Sequence, residues 1–445
     1  MTKRETTRKK PEPESRLNSQ LVFSDFHIHS LYSRATSPRM DLESIAHFAQ
    51  LKGLNLVGTG DFTHPKWIGN LKNSLSEVLD TGLYRLKTVE GTSPLLMITG
   101  EVCTIFDRGG KARRIHHLIL VPNLDTAEQI NDKIGAHGDL GSDGRPILHV
   151  SASELVEEIM EVSKEAAVIP AHVWTPWYSL FGSKSGFNRI EDCYEEMARH
   201  IFALETGLSS DPPMNWRLSS LDRFTLISNS DAHSPYPYRL GREANVFQVE
   251  ELSYGAILDV LRRKDATRLK FTVETDPAYG KYHWTGHRNC DVSMPPRESR
   301  RLGGQCPVCR RPMTKGVDER TEKLADRPDG VKPANAIDYV HLLPLQEMIS
   351  AVLGINNPSS PSVWQRFNSL ITAFGNEYSV LLETPIEQLQ TVVEPHIAAT
   401  IIRARNDDIK VNPGYDGVYG EIKLLEKKRE RKARYGNQNS LDYYV

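Results

Sequence analysis

Histidine, aspartate and glutamate recur at one kind of place in this chain, directly after short apolar runs. The run 21–26 ends in Asp25-Phe-His27-Ile-His29. Residues two apart on an extended chain project to one face, so His27 and His29 can share an ion. The run 54–59 leads into Gly60-Asp61, with His64 three residues on, and 95–99 leads into Gly100-Glu101. His116-His117 lies within the run 115–121, Ala171-His172 follows 166–170, and Asp231-Ala-His233 follows 224–228. Each signal alone is weak: His-x-His arises by chance, Asp61 could cap a helix, and Glu101 could serve an ion pair. Six of seven such runs, all but 201–204, carry a metal-type ligand at or near their ends. Imidazoles and carboxylates without cysteine suit zinc, manganese or iron used for hydrolysis rather than structural zinc.

The elements that must position these side chains are legible as alternation. Each apolar run has the length of one buried strand, and helix-compatible stretches (41–51, 153–165, 190–200) lie between them, with Asp41 and Ser153 as N-caps. Strand–helix alternation predicts a parallel α/β sheet with crossover helices. Seven runs in about two hundred residues favour a distorted seven-stranded barrel, whose C-terminal strand ends would converge on one rim.

The 445 residues suffice for two or three domains, and 55 Lys+Arg against 57 Asp+Glu leave a net charge of −2, which excludes a uniformly basic coat but not local patches. Mean hydropathy is −0.44, and no apolar run approaches the roughly 18–20 residues of a membrane span, so no membrane partner is expected. Residues 1–20 are polar and charged, without the apolar core of a signal peptide, and read as a disordered basic arm. Five cysteines, two of them in Cys306-Pro-Val-Cys309, argue for metal binding in a reducing, cytoplasmic compartment rather than a disulfide framework.

Residues 21–275 are read as the barrel and 276–320 as a zinc module. There His287-Arg-Asn-Cys290 and Cys306-Pro-Val-Cys309 give two ligand pairs of i, i+3 spacing, enough for one tetrahedral structural zinc, with His283 as a spare. Cys103 and Cys193 read as core residues. Between positions 281 and 316 the net charge is +6, suited to phosphate contacts through Arg300, Arg310 and Arg311. Residues 321–445 carry helical patterns (345–353, 363–374, 386–393) and a charged stretch, 423–434, and read as a DNA-binding helical domain with a basic tail. The aromatic string after His172 (Trp174, Trp177, Tyr178, with Phe181 and Lys184 beyond) suits a strand or a displaced base. The C-terminal peptide 438–445 (Gln438 to Val445) resembles short motifs that dock on sliding clamps.

His27-x-His29, Asp61, Glu101, His117, His172 and Asp231-Ala-His233 resemble the motifs of the PHP (polymerase and histidinol phosphatase) superfamily. Asp25-Phe-His-Ile-His-Ser30, Gly58 to Trp67, Ala171 to Trp177, Leu204 to Asp211 and Ser228 to His233, together with the zinc segment, are similar to its endonuclease Q family of DNA-repair enzymes. The resemblance spans about 21–420. It implies a distorted seven-stranded barrel holding two or three divalent ions (zinc, manganese or iron, with magnesium able to support activity). His27, His29, Glu101 and Asp231 would hold one ion; Glu101 would bridge to a second on His117 and His172; Asp61 and His233 would hold a third. His116 competes with His117. Where several relatives carry a further histidine this chain has Arg34-Ala-Thr36, so either the third site is poorer in ligands or His64 supplies the missing one. The implied activity is nicking on the 5′ side of uracil, hypoxanthine, xanthine or an abasic site in damaged DNA, leaving 3′-hydroxyl and 5′-phosphate, with Asp231, Glu101 and His233 catalytic. His64 and Trp67 would join the aromatics at the substrate. A nucleoid-associated location follows. The rival reading is a PHP-type phosphatase of sugar or histidinol phosphates.

Overall fold

The computed structural model describes residues 21–89 and 94–423. The arm 1–20, nearly all of the stretch 423–434 and the clamp-type peptide lie outside the described residues. The strands are β1 (Leu21–Asp25), β2 (Leu56–Gly58), β3 (Leu75–Val78), β4 (Leu83–Leu86), β5 (Leu95–Met97), β6 (Thr99–Asp107), β7 (Ala112–Leu120), β8 (Ile147–Leu148), β9 (Ala167–Pro170), β10 (Ala203–Glu205), β11 (Thr225–Ile227), β12 (Ala244–Gln248), β13 (Leu269–Glu274), β14 (Thr285–His287), β15 (Val292–Met294) and β16 (Asp338–His341). Two short strands, β17 (Lys410–Asn412) and β18 (Glu421–Lys423), form a final hairpin.

The fold is mixed α/β, as alternation predicts, but the hydrogen-bonded ladder does not close into a barrel among the described residues. It divides into a sheet of order β16-β13-β12-β1-β2-β5-β4-β3, a second of order β8-β6-β7-β9, and the pair β10-β11. The cause is local. The chain leaves the first sheet at Ile98, between β5 and β6, and returns as a long antiparallel hairpin, β6–β7, that the apolar-run reading split in two. At other seams side chains add to a few backbone bonds such as Val173 N–H to the Glu205 carbonyl at 3.0 Å. The Glu205 carboxylate accepts from the His172 amide at 2.7 Å, and Asn229 and Asn245 tie β11 to β1 and β12. The main sheet also takes in β16, from beyond the zinc segment, parallel to β13.

Helix Leu42–Lys52 is capped by Asp41, which accepts from the Ser44 amide at 2.8 Å. Helix Ala152–Val162 is capped instead by Ser151, in a capping box with Glu154; Ser153 faces inward and donates to the Tyr194 carbonyl at 2.9 Å. A side-chain oxygen at the cap satisfies an amide that the helix cannot; the cap expected at Ser153 thus falls two residues earlier, at Ser151. No helix among the described residues is long and apolar enough to cross a membrane.

Helices Leu345–Leu353, Pro361–Phe374 and Pro395–Arg405 bury Met348, Ile349, Phe367, Leu370, Ile397 and Ile401. They meet helix Leu42–Lys52 through a buried ion pair. Lys52 Nζ, 1 % exposed, donates to Glu377 Oε1 at 2.8 Å and to the Pro237 carbonyl at 3.0 Å. Beside it, Tyr378 stacks on Phe23 at 4.5 Å and donates to the Gly241 carbonyl at 2.5 Å.

Two predictions follow from this junction. Lys52→Met leaves Glu377 buried without its partner and should cost roughly 3–5 kcal/mol in chemical denaturation. His341 lies 3.2 Å from Asp211 and 3.3 Å from Asp407. Burial opposes its protonation, but the two aspartates outweigh it and raise the imidazole to about 9. A raised folded-state pKa stabilises fully below the unfolded value near 6.5 and is lost as pH climbs through about 9. The melting temperature should therefore fall between pH 6.5 and 9.5, and His341→Gln should flatten that slope while lowering stability at pH 6.

Candidate metal centre

The segment after β1 carries His27 and His29 past Ile28, which bridges in parallel to Ala232. Gly60 makes this approach possible: it adopts φ +64, and any Cβ there would collide with the Ile28 carbonyl. The strand-end residues Asp61, His172 and Asp231 all sit in the left-handed region (φ +49, +31 and +47). Such backbone is uncommon outside glycine and persists where surroundings over-determine it.

His27, His29, Glu101 and Asp231 bring four ligand atoms within 4.8 Å of one another, and Glu101, His116 and His172 form a second such group. Glu101 is common to both and fully buried. His116 Nδ1 lies 2.8 Å from Glu101 Oε1 and His172 Nε2 3.1 Å from it; His27 Nε2 and His29 Nε2 lie 3.4 and 3.3 Å from Oε2. Burial alone would raise the Glu101 carboxyl, but His116, Arg145 and His27 hold it well below its ordinary range. Asp231 is likewise held low, chiefly by His27 and His29 against its own burial.

These residues fit divalent ions on their own geometry. His27 Nδ1 is engaged by Glu205 at 2.9 Å, while its buried Nε2, aimed at Glu101 and Asp231, has no hydrogen-bond partner. A carboxylate on one ring nitrogen, leaving the other for the ion, is the usual arrangement of a metal-binding histidine. Asp61 fills the same role for His29, at 3.0 Å from Nδ1.

The fourth-strand histidine brought to the cluster is His116, not His117. In the β6–β7 register, Cys103 faces His116, on the face of Glu101, whereas Val102 faces His117. His117 is turned away, with Nε2 2.9 Å from Thr104 Oγ1 and Nδ1 2.9 Å from the Tyr194 hydroxyl. The turn holds the missed signal: Gly109-Gly110 centres the hairpin, and counting outward pairs 103 with 116.

Among the described residues no group of three metal-type ligands includes Asp61 or His233. Both Asp61 oxygens are taken, by His29, by the Ser30 amide and hydroxyl (2.6 Å each) and by Ser33 (2.9 Å). His233 instead lies ring to ring with His29 at 4.3 Å, its Nδ1 3.0 Å from the Asp231 carbonyl. His64 is not brought to the cluster either: its Nδ1 caps helix Pro65–Ser74 and its ring stacks on Tyr32.

A cavity of about 720 Å³ opens from the cluster. His116, His172, Asp231 and His233 line one end; Trp177, Tyr178, Arg239, Arg242, Lys281, Tyr282 and Tyr419 line the rest. Of the expected aromatics only Trp177 and Tyr178 reach it. Trp67 and Trp174 are core residues, donating to the Gly60 carbonyl at 2.9 Å and to Asn215 at 2.8 Å. Lys184 is exposed and does not line the cavity. The sequence reading missed Glu205, although it directly follows the run 201–204, and Arg145, which sits in an aperiodic loop.

In the 276–320 segment, His287, Cys290, Cys306 and Cys309 gather within 4.8 Å, beside the β14–β15 hairpin. Burial pushes the Cys306 thiol up, but the Cys309 and Val308 amides and His287 outweigh it and bring it down to about 6. His283 is not part of this group. Arg310 and Arg311 are exposed at its tip, while Arg300 pairs with Glu322 at 2.8 Å.

Fold and site together define an α/β protein with a carboxylate-bridged pair of metal-type ligand sets. Residues 344–408 match the family described as MJ0043 C-terminal domain. The uncharacterized protein YqxK of Bacillus subtilis is 29 % identical over 425 residues, 90 % of this chain and 99 % of its own. The uncharacterized protein MJ0043 of Methanocaldococcus jannaschii is 35 % identical over 263 residues, 58 % of this chain; the match spans only 32 % of that longer relative. Two solved structures superpose with a TM-score of 0.80. One is the lesion-specific endonuclease PfuEndoQ from Pyrococcus furiosus (34 % identity, 91 % of this chain and 96 % of that one). The other is an endonuclease Q complex with a 27-mer duplex substrate bearing an abasic lesion at the active site (35 % identity, 94 % and 100 %). The chain belongs to the endonuclease Q family.

Glu205 should prove essential without touching an ion. Glu205→Gln removes the charge behind His27 and turns an amide NH2 against the His172 or Asn229 donor, and should weaken metal affinity by roughly 10–100-fold in a metal titration while lowering the melting temperature.

Proposed function

We propose that this chain is a metal-dependent DNA-repair endonuclease that hydrolyses the phosphodiester on the 5′ side of a deaminated base or abasic site, leaving a 3′-hydroxyl and a 5′-phosphate. The observation that carries this reading is the cavity. It joins the Glu101-bridged cluster to an aromatic and cationic wall, and at about 720 Å³ it is within the range of pockets that enclose a small molecule. An extruded nucleotide fits within that volume, with an apolar face for Trp177 or Tyr178 and a phosphate for Arg239, Arg242 and Lys281. Extrusion costs least at a mispaired or missing base, which supports lesion selectivity.

Divalent ions on His27, His29, Glu101, Asp231, His116 and His172 (zinc, manganese or iron, with one further zinc on the Cys3His group) would supply a low-pKa water and neutralise the phosphate. The protein's own groups do the rest. Glu205 and Asp61 fix the rings of His27 and His29. His233 Nδ1–H donates to the Asp231 carbonyl, which leaves Nε2 as the proposed acceptor of the attacking water's proton. Arg310 and Arg311 at the zinc-module tip are proposed to meet the duplex backbone outside the lesion.

The test is an end-labelled duplex carrying one uracil or abasic site, incubated with manganese or zinc beside an undamaged control. A single nick 5′ of the lesion, abolished by chelator and by Asp231→Asn, is expected. Binding without cleavage would leave a DNA-binding scaffold, and turnover of sugar or histidinol phosphates instead would make the chain a small-molecule phosphatase.

A further inference from the structure

Arg145 stands where no sequence signal pointed, and its placement is over-determined. Its loop is pinned at three points. The Gly144 amide donates to the Tyr32 carbonyl at 3.1 Å, Asp143 accepts from the Arg34 amide at 3.2 Å, and Thr63 donates to the Gly144 carbonyl at 3.3 Å. Gly144 rests directly on Asp61 and Ser33, where a Cβ would collide with both side chains. The loop thus leans on the carboxylate that orients His29 and delivers the next residue to the cluster. Arg145 Nη1 donates to Glu101 Oε2 at 2.9 Å, and the side chain, about a quarter exposed, lines the cavity alongside Asp231 and His233.

A guanidinium presents five donors in a rigid fork, and one contact to Glu101 does not exhaust it. Charge balance indicates what the fork is for. Glu101, Asp231, Glu205 and Asp61 carry four negative charges around the cluster. The two divalent ions of the proposed function would cancel them and leave Arg145 as the surplus. A phosphodiester brings one negative charge and gains another as water adds to phosphorus. A counter-ion needed only for Glu101 would become redundant once ions were bound, and would not need a wall position on the cavity.

We propose that Arg145 is a catalytic residue that grips a non-bridging oxygen of the scissile phosphate, with Glu101 as the strut that aims it. The inference rests on the phosphodiesterase reading but not on the lesion. A preorganised donor of this kind contributes most where charge develops, on the order of 10²–10³-fold in rate.

The test compares full-length wild type, Arg145→Lys and Arg145→Ala on the abasic duplex and on bis(p-nitrophenyl) phosphate, a diester without a base or lesion. Single-turnover cleavage by Arg145→Ala should fall about 10²–10³-fold. Metal content by mass spectrometry should be unchanged, duplex affinity in EDTA should change less than threefold, and added guanidinium should restore part of the rate. Arg145→Lys, which keeps the charge but not the fork, should fall between the two. Wild-type rates in Arg145→Ala would overturn the proposal, as would a loss of metal in proportion to the loss of rate, or no recovery with guanidinium. If wild type hydrolyses the small diester but not the abasic duplex, the lesion reading fails and Arg145 is judged on the small diester. If it hydrolyses neither, both readings fall.

Discussion

Glu101 places a carboxylate at zero exposure in the middle of the molecule, and an ionised carboxylate there is unfavourable unless cations or donors surround it. Its neighbours meet that requirement from four separate segments. His27 and His29 come from the end of β1, His116 from β7, His172 from the end of β9 and Arg145 from an otherwise irregular loop. None of these contacts is local in sequence, so the site forms only when the strands are in register. The outer carboxylates repeat the constraint one layer out: Asp61 and Glu205 are buried too, and each spends its charge on a ring nitrogen facing away from Glu101.

Much of this was legible because metal-type residues at strand ends stand out against apolar runs. His27, His29, Glu101, His172 and Asp231 were found that way, and the structure brings all five together. What the pattern lacked was parity and partnership. Two adjacent histidines on one strand point to opposite faces, and choosing between them needed the β6–β7 register. Asp61 was expected to hold a third ion; its carboxylate instead meets His29, Ser30 and Ser33, whose hydroxyls give no sequence signal of being aimed at it. Arg145 gives no such signal, since an arginine in a loop has no periodicity to betray what it faces.

The fold shows the same division. Helices Leu42–Lys52 and Leu345–Leu353 were readable from caps and periodicity. Barrel closure was not, because at the seams only a few backbone bonds form and side chains such as Glu205 and Asn245 add to them. That addition has a chemical use. Where a side chain reinforces a seam, the same side chain can also hold a functional ring, as Glu205 does for His27 while accepting from the His172 amide.

The contacts around Gly241 tie the helical region to the cluster. Tyr378 donates to the Gly241 carbonyl; the Gly241 amide donates to Asp25, which also accepts from the Ser230 amide and hydroxyl, one residue before Asp231. Together with Lys52–Glu377, a pair 325 positions apart in the chain, these bonds make two distant patches one unit of inheritance. A lineage could not trade this helical segment for another by recombination without also exchanging 237–241 and Lys52. Among related chains those positions should therefore drift in concert, while the exposed faces of the same helices vary independently.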